Sequence, residues 1–355
     1  MREKVRNSFK IGGAFVGLLV GGGFASGQEI FYYFTSYGWY GLFGAMLAAL
    51  IFAFLGMTIT SLGYQLKTTS HKEVVLHIAG PVLGSVIDCL ITVFSFCFTV
   101  AMFAGASSAF EHLFGIDGFV GSLLLMLLTA FTLMLNVRSI INVIALLTPY
   151  LLAVFLIISL FSIMNMDMSF VHNEQLAKQQ HPPVSHWVLG AFLYVSYNLA
   201  IALPMLAVMG STVKTRKEAS WGGIIGGLLL GVLIILVFFA LLAKMDVIYG
   251  KSLPTLIIAM DIHPFVGILM ATILIIMLYS TAIGVQYAFV VRFVPQKSRW
   301  YKPFVVLTGL IAFFASFIGF TTIVNTVYAI MGYLGFIVVI VLLWTWMKKK
   351  IHPLT

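Results

Sequence analysis

The stretch Val20-Gly21-Gly22-Gly23-Phe24-Ala25-Ser26-Gly27-Gln28-Glu29 decides how the chain reads. It sits inside an apolar run over residues 9–34, and about 20 apolar residues are enough for a helix to cross a bilayer. Each glycine in a helix interior costs about 1 kcal/mol relative to alanine, so three in a row predict that the helix unwinds near mid-membrane. Backbone without its own hydrogen bonds is tolerated at that depth only where it is buried in protein or lines a cavity. A single pair of small residues would be read as close helix packing instead. Ser26 and Glu29 then stand at capping-box spacing, which predicts a second half-helix from about Gly27. The free amides of that half-helix suit a carboxylate, and carbonyls released near Gly17 to Gly22 suit a cation such as sodium.

The remainder of the 355-residue chain has the composition of a membrane protein. Hydrophobic residues make up 61% and charged residues 9%, against about 25% charged in a soluble domain. A soluble globular protein, a disordered chain and a nucleic-acid binder are excluded on that ground. Ten apolar runs predict ten transmembrane helices, over residues 9–34, 39–63, 82–110, 119–136, 141–164, 187–209, 221–243, 264–291, 303–322 and 325–347. The first run is too long for a signal peptide and continues into Gln28-Glu29 and an aromatic cluster, so it reads as a retained span. Cys89 and Cys97 lie eight residues apart in one run and provide neither a disulfide framework nor a metal cluster.

Charge placement predicts orientation. With the N-terminus inside, 17 of the 20 Lys and Arg fall in inner segments, and only Lys178, Lys244 and Lys251 fall outside. Under the positive-inside rule both termini are cytoplasmic, in a multi-pass protein of the cell membrane. The lipid bilayer and a small solute are its expected partners. Oligomeric state is not legible.

Sliding the first half forward by 177 residues lays Gly13-Ala14-Phe15 on Gly190-Ala191-Phe192 and brings all five helices of one half onto the other. This predicts a single transporter domain over residues 1–355, built as an inverted repeat of residues 8–164 and 187–347. The sixth span is then the partner of the first. Its middle reads Tyr197-Asn198-Leu199-Ala200 with Pro204 downstream, and a second mid-membrane break is predicted there. In the eighth span, Met277, Ser280 and Thr281 offer a carbonyl and two hydroxyls to a small hard cation, although hydroxyls in a span more often bond their own backbone.

Two acids fall within spans. Glu29 is read either as a cap or as a coupling group, and Asp88 either as paired with a basic loop residue or as a proton carrier. Glu111 and Asp117 are read as solvated. No HExxH, no GxSxG elbow and no catalytic acid pair is present, so an enzyme is not expected.

These residues resemble the LeuT-like fold of the amino acid, polyamine and organocation transporters, and most of all the YkvI-type bacterial permeases. The resemblance rests on Val20 to Glu29 and on Tyr194-Val195-Ser196-Tyr197-Asn198. It implies a sodium ion held by the carbonyls of Gly17 and Val20 with Met277, Ser280 and Thr281, in a register that could slide to Tyr279. It also implies a cargo site formed by Gly22, Gly23, Phe24, Ala25, Ser26, Tyr194, Tyr197 and Asn198, walled by Phe98 and Met102. The function expected is sodium-coupled symport of an amino acid or similar zwitterionic or anionic solute, with no organic cofactor. A proton-coupled permease of the same fold, and a solute receptor that does not transport, are the alternatives.

Overall fold

The computed structural model describes residues 2–166, 168–179, 182–249, 253–318 and 335–347. The first run forms three pieces, α1 (Arg2–Leu19), α2 (Gly22–Ala25) and α3 (Gln28–Tyr33). Then follow α4 (Tyr40–Leu66), α5 (His71–Ala79), α6 (Pro81–Phe114), α7 (Gly118–Leu133) and α8 (Val137–Met164). After α9 (Phe170–Lys178) come α10 (Trp187–Ser211), α11 (Arg216–Ala243), α12 (Met245–Ile248), α13 (Pro254–Ile262), α14 (Pro264–Phe293) and α15 (Tyr301–Ala315). The last described helix is α16 (Gly335–Met347).

Among the described residues, seven helices are long and apolar enough to cross a membrane, and α7 and α16 are shorter apolar helices. The tenth predicted run is described only from Gly335, and Lys251, Lys348, Lys349 and Lys350 of the charge count lie outside the described residues. The segment 165–186, between the fifth and sixth predicted runs, contains α9. Ser169 caps that helix, and the Asn173 amide donates to the Ala243 carbonyl at 3.0 Å.

The interrupted first span is present, but the break expected in the sixth is not. α10 runs unbroken through Tyr197-Asn198-Leu199-Ala200 and past Pro204. No glycine stands between Gly190 and Gly210, so nothing offsets the hydrogen bonds a break would forfeit. Asn198 turns its amide back onto the Tyr194 carbonyl at 2.9 Å, satisfying itself within the helix. Pro204 alone removes one donor and leaves the helical path in place.

Helices α1, α4, α10 and α11 pack on one another, while α6 packs on α7 and α14. Close approach within the first group depends on glycine. A Cβ at Gly63 would meet the backbone of Ala207, and one at Gly227 the backbone of Ala53. Gly227→Val is therefore expected to prevent assembly of α4 on α11, read as loss of the monodisperse species in detergent chromatography. Gly80→Ala is a useful contrast, because its positive φ strains the backbone but nothing lies within 4 Å of an added Cβ.

At the end of the molecule where α5 lies, Asp88 of α6 accepts from Arg292 of α14 at 2.9 Å (Nε) and 2.5 Å (Nη2). The imidazole of His71 on α5, fully buried, lies 3.2 Å from the same carboxylate and 3.2 Å from Thr92 Oγ1. Asp88 is thus paired, tying three elements together, and lies outside the cavity described below. Asp88→Asn leaves Arg292 facing a neutral partner. A fully buried pair loses about 3–5 kcal/mol when broken, and because Arg292 is partly exposed about 2 kcal/mol is expected here. A lower thermal midpoint in detergent would register it.

Candidate functional site

The site begins with the break in the backbone. Val20 N still bonds Val16 O at 2.9 Å, but Gly21 N turns to Leu19 O at 2.9 Å instead of reaching Gly17. The Gly17 and Leu18 carbonyls are thereby released from the helical ladder, and both are met by α14. Ser280 Oγ donates to Gly17 O at 2.5 Å and approaches Met277 O at 3.0 Å, while Thr281 Oγ1 donates to Leu18 O at 2.9 Å. Ser280 is 0% and Thr281 4% exposed.

Three carbonyls and two hydroxyls are therefore drawn together where α1 meets α14, in two hydrogen-bonded groups: Gly17 O and Met277 O on Ser280 Oγ, and Leu18 O on Thr281 Oγ1. Of the residues expected to bind sodium, Gly17, Met277, Ser280 and Thr281 come together. The second carbonyl of α1 to accept from these hydroxyls is that of Leu18, a residue outside the expected set. The register on α14 does not slide, since the Tyr279 hydroxyl points away to Thr132 on α7 at 2.5 Å. A hydroxyl that turns its proton aside can offer a lone pair in place of a donor, so this set can exchange its internal bonds for a hard cation.

Beyond the break, Ala25 N bonds Gly21 O and Ser26 N bonds Gly22 O, each at 2.9 Å, which closes the single turn α2. Gly27 then adopts φ +81°, a left-handed conformation natural to glycine, and α3 starts afresh. The expected capping box does not form. Ser26 Oγ donates to Gly23 O at 2.9 Å and Glu29 turns inward. Its carboxyl lies so close to Gly23 that any side chain there would collide with it. Glu29 Oε2 is buried, and the Tyr197 hydroxyl is turned towards the carboxyl.

That carboxyl borders a cavity of about 20 Å³ lined by Gly21, Glu29, Phe98, Met102, Tyr197, Asn198 and Thr281, with Leu18, Leu19 and Ile201 completing the wall. Such a space admits a water or a bare ion, not an amino acid. Phe98, Met102, Tyr197 and Asn198 are thus brought together as expected. The other expected cargo residues are turned elsewhere. Phe24 packs edge-on against Phe155 at 5.8 Å, and Tyr194 joins Tyr33, Phe34 and Phe52 in an aromatic cluster beside the cavity. Gly22, Gly23, Ala25 and Ser26 contribute backbone to the folded turn rather than lining.

Sequence reasoning missed Thr255. From the start of α13 its amide donates to Ser26 O at 3.1 Å and its hydroxyl to Ala25 O, so α13 caps the carbonyls left open at the end of α2. Only the Pro254 preceding it, an N1 helix signal, hinted at a helix start here.

No family model matches the chain. It is 25% identical over 340 residues to the membrane protein YkvI of Bacillus subtilis strain 168, covering 94% of this chain and 95% of that one. The fold is similar to that of MhsT in complex with L-phenylalanine, with TM-score 0.67, 15% identity and coverage of 96% of this chain and 88% of that one. It is also similar to a Na+-coupled sialic acid symporter in its substrate-bound outward-open state, with TM-score 0.67, 13% identity and coverage of 92% and 76%. The resemblance read from Val20 to Glu29 is thus borne out along nearly the whole chain: this is a multi-pass membrane protein of LeuT-like fold, similar to the YkvI-type proteins.

Proposed function

We propose that the protein is a secondary active transporter that takes up a small amino-acid-like solute together with sodium by alternating access. One observation carries this reading: the carbonyls of Gly17 and Leu18, freed by the break in the first span, meet the Ser280 and Thr281 hydroxyls of α14. The set with Met277 O is all oxygen and uncharged, which suits a monovalent hard cation. The likeness to a Na+-coupled symporter and to a protein that binds L-phenylalanine supports the same assignment.

The solute occupies the neighbouring cavity in this reading. Glu29, Tyr197 and Asn198 face its ammonium, and Phe98 and Met102 bound its apolar part. Because the cavity is too small for that cargo as it stands, α1, α4, α10 and α11 move as a group relative to α6 and α14 to admit it. The placement of 17 of 20 basic residues supports a cytoplasmic position for both termini, and the 177-residue offset supports two inverted halves, residues 8–164 and 187–347.

A second reading, favoured by the carboxyl of Glu29 in the cavity, is proton-coupled transport through that residue. Proteoliposomes presented with labelled amino acids separate the two. An inward sodium gradient at equal pH is expected to drive accumulation. Accumulation that follows a pH gradient and ignores sodium would transfer the coupling to Glu29, and saturable binding without flux would make the protein a receptor.

A further inference from the structure

A second cavity, of about 220 Å³, lies at the opposite end of α1 from the break. It shares no lining residue with the cavity beside Glu29. Three separate segments build it: Arg6, Asn7, Lys10 and Ile11 from α1, Arg138, Ile141 and Asn142 from the first turns of α8, and Thr212, Val213 and Lys214 from the turn between α10 and α11. Four of the ten lining residues are cationic and none is anionic.

The positive-inside rule accounts for basic residues at this end of the molecule, and it would be met equally well if they fanned outward. It does not require them to converge on one concavity. Arg6 and Lys10 occupy successive turns of one helix face, an arrangement that repels by a few tenths of a kcal/mol. Arg138 and Lys214 arrive on other segments to add to it. Glu218 stands behind this wall, 2% exposed and already occupied: it accepts from the Asn7 amide at 2.9 Å and from the Thr215 hydroxyl at 2.9 Å. Its position orients Asn7 and leaves the lining itself positive. The first turn of the 28-residue α8 adds the positive end of its dipole next to Arg138.

We infer that this cavity is an anion site that takes a phosphate group, either the headgroup of an anionic lipid or a free phosphate compound. Two guanidinium groups offer planar forks that match phosphate oxygens, and the Lys10 ammonium and the Asn142 amide can complete its shell. The volume suits a hydrated phosphate and falls below that of a drug-sized pocket. An occupant would fasten the first turns of α1 to α8 and to the α10–α11 turn, and α1 is the helix whose far end supplies the Gly17 and Leu18 carbonyls.

The test uses the full-length protein in nanodiscs, with pyrophosphate as the free probe. Calorimetric titration in phosphatidylcholine discs is expected to show saturable binding that R6Q/R138Q weakens by at least about tenfold, while K297Q/R299Q, which removes the same charge from the exposed loop between α14 and α15, leaves it unchanged. Thermal midpoints without anion verify that both variants remain folded. In phosphatidylglycerol discs the two sources part: a lipid occupant blocks pyrophosphate binding and raises the midpoint in the parent but not in R6Q/R138Q, whereas a free anion binds alike in both discs. Equal weakening by K297Q/R299Q would reduce the effect to general surface charge and overturn the site. Absence of pyrophosphate binding in phosphatidylcholine, with no midpoint gain in phosphatidylglycerol, would overturn it as well.

Discussion

Replacing Ser280 and Thr281 together by alanine is expected to raise the sodium concentration needed for half-maximal uptake by about 100-fold, or ~2.7 kcal/mol. Two effects lie behind that figure. The double variant removes two of five oxygens from the proposed cation site, and hydroxyls are the only members of the set that can alternate between donating to a carbonyl and accepting a cation. It also strips the Gly17 and Leu18 carbonyls of their partners, and a buried carbonyl without a donor costs about 1–3 kcal/mol. The second effect by itself would lower stability without altering sodium dependence, so the thermal midpoint must be measured beside uptake. Thr281→Ser keeps the oxygen and should retain most of the sodium response. If the double variant lowers the midpoint while its sodium dependence stays that of the parent, the pair serves only to tie α14 to α1, and the coupling assignment falls.

The break in the first span was legible because glycine acts locally: Gly21, Gly22 and Gly23 carry their backbone cost wherever they stand, and the chain unwinds beside them. The matching break expected in the sixth span rested on symmetry with the first, and symmetry of position does not carry energy. Asn198 found a carbonyl one turn back, and α10 stayed whole. The meeting of Ser280 and Thr281 with the first span was legible because buried hydroxyls need acceptors, and the carbonyls released at the break lie across the interface. Glu29 shows the limit of local reading. Its spacing from Ser26 announces a cap, whereas its orientation is decided by the space that Gly23 leaves and by Tyr197 on a helix more than 160 residues away in sequence. Thr255 and the ties between His71, Asp88 and Arg292 likewise join distant segments, which no single stretch of sequence encodes.

Glu29→Gln is expected to abolish concentrative uptake, and the manner of the loss identifies what the carboxyl does. The amide has nearly the same shape, so Gly23 and Tyr197 can keep their places and the fold should persist; an unchanged thermal midpoint checks this. If Glu29 receives the cargo's ammonium, the variant loses a charge-assisted bond in a buried cavity, worth about 3 kcal/mol or roughly a 100-fold weaker affinity. Exchange of labelled solute across a membrane with solute on both sides then fails along with net uptake, while stabilisation of the protein by sodium alone remains, because the oxygens of Gly17, Leu18, Met277, Ser280 and Thr281 are untouched. If instead Glu29 carries a coupling proton, the amide imitates the protonated carboxyl: solute still binds and exchanges, but neither a pH gradient nor a sodium gradient builds a concentration difference. Exchange is therefore the discriminating measurement. Normal accumulation in Glu29→Gln would remove the carboxyl from both roles and leave it as a filler of the space beside Gly23, and cargo recognition would then fall to Tyr197, Asn198 and the backbone of the broken helix.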